Sequence, residues 1–81
     1  MISKRSGEYM GMAVKVKMLL AAREMTIGDL ADKMVPMTSR QNMTAKLKRD
    51  NFNERDLQEI AKACNAVFEG NFILNDTGKT I

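Results

Sequence analysis

Residues 25–49 read MTIGDLADKMVPMTSRQNMTAKLKR, and the fold turns on how this stretch is divided. Thr26 offers a hydroxyl to the free amides of a helix start. Asp29 stands three residues later, where a carboxylate returns the bond, and Met25 can staple against Leu30. A helix therefore begins at Thr26 with Ile27, Leu30, Ala31 and Met34 on its inward face. It cannot pass Val35, because Pro36 disfavours the α region for the residue before it and has no amide hydrogen. Ser39 or Thr38 caps the next helix, which keeps Met43 and Leu47 on one side and runs to about Arg49.

Outward from this pair the same periodicity continues. From about Tyr9 to Glu24, the apolar residues Met12, Val16, Leu19 and Leu20 recur at helical spacing, after a polar opening at 1–8. A loop is expected at Asp50, Asn51 and Phe52. Asn53 and Asp56 then repeat the cap and carboxylate, Phe52 and Leu57 repeat the staple, and Leu57, Ile60, Ala61 and Cys64 form the stripe of a last helix ending near Asn65. The pattern changes at 67–74 to a run of aromatic and β-branched residues, which reads as one strand with Phe68, Phe72 and Leu74 on one face. A short hairpin turning at Gly70 and Asn71 is the alternative. A polar tail follows from Asn75 to Ile81.

At 81 residues one small domain, 1–81, is the ceiling, and 44% hydrophobic with 28% charged residues is the balance of a folded chain. So short a chain gains from a disulfide, a metal or a second subunit. One cysteine and no histidine remove the first two in their usual forms, and they also remove Ser/His/Asp and Cys/His catalysis. No enzymatic activity, catalytic residue, metal, cofactor or small-molecule ligand is expected. No uncharged apolar stretch is long enough for a membrane span, so no membrane partner is expected, and a lone thiol suits a cytoplasmic location. Cys64 reads as a buried, inert thiol, and Met12, Met25, Met34 and Met43 as packing on inner faces. First-turn carboxylates such as Asp29, Glu54 and Asp56 serve caps and helix dipoles.

The net charge of +3 is unevenly spread: residues 1–50 hold ten Lys and Arg against five Asp and Glu, whereas 51–81 hold three against five. A polyanion would meet the first half. From Thr38 to Arg49 there are four cations and no anion.

Leu19-Leu20, then Met25 to Met34, then Ser39 to Leu47, resemble the phage repressor and Cro family, or XRE-like DNA-binding proteins, with Asn53 to Cys64 similar to that family's fourth helix. The resemblance covers roughly residues 10–66. It implies a mostly α, four- to five-helix, lambda-repressor-like helix-turn-helix domain, with the helix-turn-helix at about 26–49 and a short C-terminal β-strand at about 67–74. It also implies a sequence-specific transcriptional regulator, a repressor of phage or mobile-element type, whose partners are double-stranded DNA and a second copy of itself. Where the family places a glycine after the second helix this chain has Val35 and Pro36, and the interval from Ala31 to Met43 is about two residues longer than usual. A wider, extended turn is expected, with no left-handed Val35.

With Met43 and Leu47 inward, Thr38, Gln41, Ala45 and Lys48 point outward at 100° per residue. Gln and Asn pair with adenine, Arg pairs with guanine, and a small Ala45 lets the helix lie deep in a groove. The family resemblance adds Ser39 and gives Ser39, Arg40, Gln41, Asn42 and Ala45 as the base-proximal set. Thr26 and Ile27 at the start of the second helix, with Lys46, Lys48, Arg49 and Asn51 after the third, are the expected phosphate contacts, and Arg23 is a weaker one. Phe68, Phe72 and Leu74 are expected at a dimer interface formed by strand pairing, or else folded back on their own last helix. Competing functions are a protein-interaction module on the same fold, such as an antirepressor or antitoxin, and a nonspecific nucleic-acid binder.

Overall fold

The computed structural model describes residues 8–81, apart from the side chains of residues 8–10 and 51; the polar stretch 1–7 lies outside the described residues. Among the described residues four helices, α1 (Met12–Ala22), α2 (Ile27–Lys33), α3 (Arg40–Arg49) and α4 (Glu54–Ala63), are accompanied by four three-residue strands. β1 (Glu8–Met10) pairs antiparallel with β2 (Asn51–Asn53), and β3 (Ala66–Phe68) pairs antiparallel with β4 (Phe72–Leu74). No helix among the described residues is long and apolar enough to cross a membrane.

The caps act where the sequence places them. Thr26 Oγ1 accepts from the Asp29 amide at 3.0 Å while the Asp29 carboxylate accepts from the Thr26 amide at 3.0 Å; Asn53 and Asp56 form the same reciprocal pair at the start of α4. Ser39 rather than Thr38 caps α3, its hydroxyl accepting from the Asn42 amide at 3.0 Å. α2 ends at Lys33 and Met34 is already extended, so the turn to α3 is open, with a cis Val35–Pro36 bond. Val35 has no positive φ. The Thr38 amide closes the turn on the Ala31 carbonyl at 3.2 Å. Met12, Val16, Leu19, Leu20, Leu30, Ala31, Met43, Leu47, Leu57, Ile60, Ala61 and Cys64 meet in one core, with Met25, Ile27 and Met34 packed half-buried against it.

Three expectations about secondary structure are corrected. Helix α1 starts at Met12, not near Tyr9, because Tyr9 and Met10 lie in β1 opposite Phe52 and Asn51. The expected loop at 50–52 is accordingly a left-handed turn at Asp50 followed by β2, with Phe52 fully buried. The Asp50 carboxylate caps α1 from a distance, accepting from the Ala13 amide at 2.9 Å; the N-cap residue Gly11 has no side chain to do so.

The third correction concerns the single strand at 67–74, which is a hairpin. Ala66 faces Leu74, Val67 faces Ile73 and Phe68 faces Phe72, with positive-φ Gly70 in the turn. Phe68, Phe72 and Leu74 are buried in the chain's own core, with β3 packed against α4, so their apolar face is not at the surface for a second copy. The two rings lie 5.2 Å apart at 56°, a tilted arrangement favoured by aromatic quadrupoles. The outer edge of β4 is taken by residues 79–81: the Leu74 amide donates to the Lys79 carbonyl and the Ile81 amide to the Phe72 carbonyl.

Arg23 ties these parts together. Its guanidinium donates to the Cys64 and Asn65 carbonyls at 2.8 Å each and makes a two-pronged bond to Asp76 at 2.9 and 2.8 Å. The phosphate contact expected of it is therefore corrected to a structural clamp joining the ends of α1 and α4 to the tail.

Thr26→Ala and Asn53→Ala should each cost about 1 kcal/mol, and Asp50→Ala about 1–2 kcal/mol because it removes a cap and a tolerated left-handed residue together, read as lowered urea midpoints. The Asp76 carboxyl is held below its ordinary range, first by its hydrogen bond from Arg23. A lowered native pKa adds stability that is complete above the unfolded value near ~3.9 and is lost as pH falls through the native one. Between about pH 4 and pH 2, wild type should therefore lose stability more steeply than Asp76→Asn in acid unfolding followed by circular dichroism.

Candidate nucleic-acid interface

α3 is seated by Met43 and Leu47, which are buried, and this leaves Arg40, Gln41, Asn42, Thr44, Ala45, Lys48 and Arg49 exposed. Its packing against α2 is close. Ala31 is 1% exposed, and the Arg40 stem lies at ordinary van der Waals distance from Gly28, where an added Cβ would stand 3.8 Å from Cδ of Arg40. Arg40 thus leans along the first turn of α2, and one concavity is lined by Thr26, Ile27, Gly28 and Arg40.

The expected base-proximal residues do not all fall together. Ser39, Arg40, Gln41 and Ala45 line one shallow groove with Thr44 and Lys48. Thr44 joins the expected residues there because its spacing four residues from Arg40 places it on that side of the helix. Asn42 turns the other way: its amide reaches the Thr38 hydroxyl at 3.5 Å, and it lines a second concavity between α3 and α4, with Lys46, Arg49 and Asp56. Thr38, expected outward, is half-buried there.

The expected phosphate contacts divide in the same way. Lys48 is exposed on the groove side and Arg49 is exposed on the α4 side. Lys46 is held by Asp56 at 3.2 Å, with both side chains partly buried, so its charge is partly answered within the chain. The Thr26 amide donates to the Asp29 carboxylate, and the Thr26 hydroxyl accepts from the Asp29 amide, so this amide is not free for a phosphate. Those bonds from Thr26 hold the Asp29 carboxyl below its usual range. Ile27 is half-buried. The side chain of Asn51 lies outside the described residues.

The exposed part of α3 therefore carries Arg40, Lys48 and Arg49, with no acid in the helix and no exposed apolar side chain larger than Ala45. Such a surface is suited to a polyanion whose edges accept hydrogen bonds. The described residues hold no cluster of three or more potential metal-ligating His, Cys, Asp or Glu side chains. Cys64 is 2% exposed, and burial pushes its thiol up to about 11, which suppresses the nucleophilic thiolate. Set against protein-family models, curated proteins and solved structures, the chain matches none.

The thiol gives a check on this arrangement. In native buffer at pH 8, Cys64 should react with iodoacetamide more than about a hundredfold slower than in denaturing urea, because both exposure and thiolate fraction are low; mass spectrometry against time reads the two rates.

Proposed function

We propose that this chain is a sequence-specific DNA-binding transcriptional regulator with a lambda-repressor-like helix-turn-helix, in which α2 positions the protein and α3 reads base edges in the major groove. The observation that carries the proposal is the single groove side of α3: Ser39, Arg40, Gln41, Thr44, Ala45 and Lys48 stand together, exposed and free of acid, on a helix packed against α2. Arg40 and Gln41 supply the donors and acceptors that discriminate guanine and adenine, and Ala45 keeps the centre of the surface low. Lys48 and Arg49 meet phosphate without reading sequence. Asn42 has a smaller role in readout than the sequence alone implies, since its amide is turned toward Thr38.

Two copies on a pseudo-palindromic site would repress by occupying a promoter in the cytoplasm of a host cell, as expected of a phage or mobile-element regulator. A second reading is favoured by one feature. Val35 and Met37 are 80% and 70% exposed in the α2–α3 turn, and such a tip suits a protein-interaction module, for example an antirepressor or antitoxin.

Selection of duplexes from a random pool should yield a preferred site bound at least about a thousandfold more tightly than random DNA at physiological salt. On that site Gln41→Ala and Arg40→Ala should each cost about 1–3 kcal/mol and relax preference at one base pair, whereas Lys48→Ala should weaken all sequences alike. Lys46→Gln should cost less than Lys48→Gln because Asp56 already pairs with Lys46. Equal losses on selected and random DNA for all variants would overturn the proposal, and failure to enrich any duplex would favour the protein-interaction reading.

A further inference from the structure

Helix α1 is apolar on both sides. Met12, Ala13, Val16, Leu19 and Leu20 enter the core, yet the centre of the opposite side is not charged. At 100° per residue, Val14, Met18 and Ala21 fall within an arc of about 60° directly away from the core. Val14 is 63% and Met18 53% exposed, and Ala21 and Ala22 are exposed as well. A helix covered on one side alone carries Lys, Glu or Gln at such positions.

The charges beside this stripe have a pattern. Lys15 is engaged, donating to the Asn71 side chain at 2.6 Å and to the Ile81 carbonyl at 3.5 Å. Lys17 and Glu24 are both exposed, and neither side chain has a hydrogen-bond or ion-pair partner among the described residues. They stand seven residues apart, a cation within the helix and an anion just beyond its end. Such an arrangement is self-complementary only when two helices run antiparallel.

We infer that the Val14, Met18 and Ala21 stripe of α1 is the contact surface for a second copy of this chain, packed antiparallel about a two-fold axis between Met18 and Ala21. In that pairing Met18 of each copy lies over the small Ala21 of the other, which lets the helix axes approach to about 8–10 Å. Lys17 of each copy then comes toward Glu24 of the other, giving two equivalent ion pairs, whereas a parallel pairing would set like charges together. The inference takes up the dimer that the proposed regulator needs and rests on that reading for its purpose. It also gives the dimer a surface now that Phe68, Phe72 and Leu74 are buried within one chain. An 11-residue helix is only about 16 Å long, so this contact covers less than the ~1,200 Å² of a standard stable interface, and the dimer is weak in free solution.

Sedimentation equilibrium of the full chain from about 10 to about 500 µM, without DNA, tests it. Wild type should show a reversible monomer–dimer equilibrium within that range. Met18→Glu should remain monomeric throughout, with an unchanged circular dichroism spectrum and urea midpoint, because the side chain is half-exposed in one chain. Lys17→Glu should weaken the dimer at least about tenfold, and Lys17→Glu combined with Glu24→Lys should restore it to within about threefold. A wild-type chain that stays monomeric to the highest concentration overturns the assignment and leaves the stripe to a different partner. So does a dimer indifferent to Met18→Glu, or a double charge reversal no tighter than the single one. Because no DNA enters the measurement, a chain that fails to select a DNA site can still dimerise through α1, and the two failures remain distinguishable.

Discussion

The bond from the Ala13 amide to the Asp50 carboxylate ties the start of α1 to the end of α3, two points 37 residues apart in the chain. Asp50 ends α3 in a left-handed conformation that an Asp tolerates better than most residues, and its side chain satisfies an amide that Gly11 leaves open. The same turn delivers Phe52 into the core and lets β2 pair with β1. The end of α3 is thereby tied to the start of α1, while the residue before its cap is tied to α2 by the bond from the Thr38 amide to the Ala31 carbonyl. A helix fixed at both ends can hold a surface of polar side chains at constant geometry, which the proposed base reading requires.

That surface has two unlike sides. On one, Arg40, Gln41, Thr44 and Lys48 keep their polar groups for solvent or a ligand. On the other, Asn42, Lys46 and Thr38 have already found partners within the chain. A polar group bonded inside the fold must break that bond to meet DNA, so its net gain is small. Under the proposed function the division puts discrimination on the Arg40 and Gln41 side, and it leaves Arg49 as an exposed cation toward α4.

The end of the chain shows how a short domain protects a sheet edge. A single strand over 67–74 would leave unpaired amides and carbonyls on both sides. Reversal at Gly70 pairs β3 with β4, and residues 79–81 then cover the outer side of β4. Arg23 and Asp76 anchor that tail to the ends of α1 and α4. The aromatic face, once folded back on α4, completes the core of the same chain, and the apolar stripe left at the surface lies instead on α1.

The four helices, the caps of α2 and α4 and the inward stripes of the helices were legible in the chain because they depend on local chemistry. Thr26 with Asp29, Asn53 with Asp56, and the spacing of Leu57, Ile60, Ala61 and Cys64 act over three or four residues, within the reach of one helical turn. The outward placement of Gln41, Ala45 and Lys48 follows in the same way, once Met43 and Leu47 are taken as inward. What could not be read depends on partners distant in sequence. Nothing near Gly11 shows that a carboxylate 37 residues from Ala13 caps its helix, and nothing near Arg23 shows that it belongs to Asp76, 53 residues away. β1 and β2 are likewise too short to be marked by alternation, so only their pairing reveals them. Lys46 has the composition of a DNA contact, but Asp56 stands close enough to engage it, and that proximity arises only when α3 and α4 pack together.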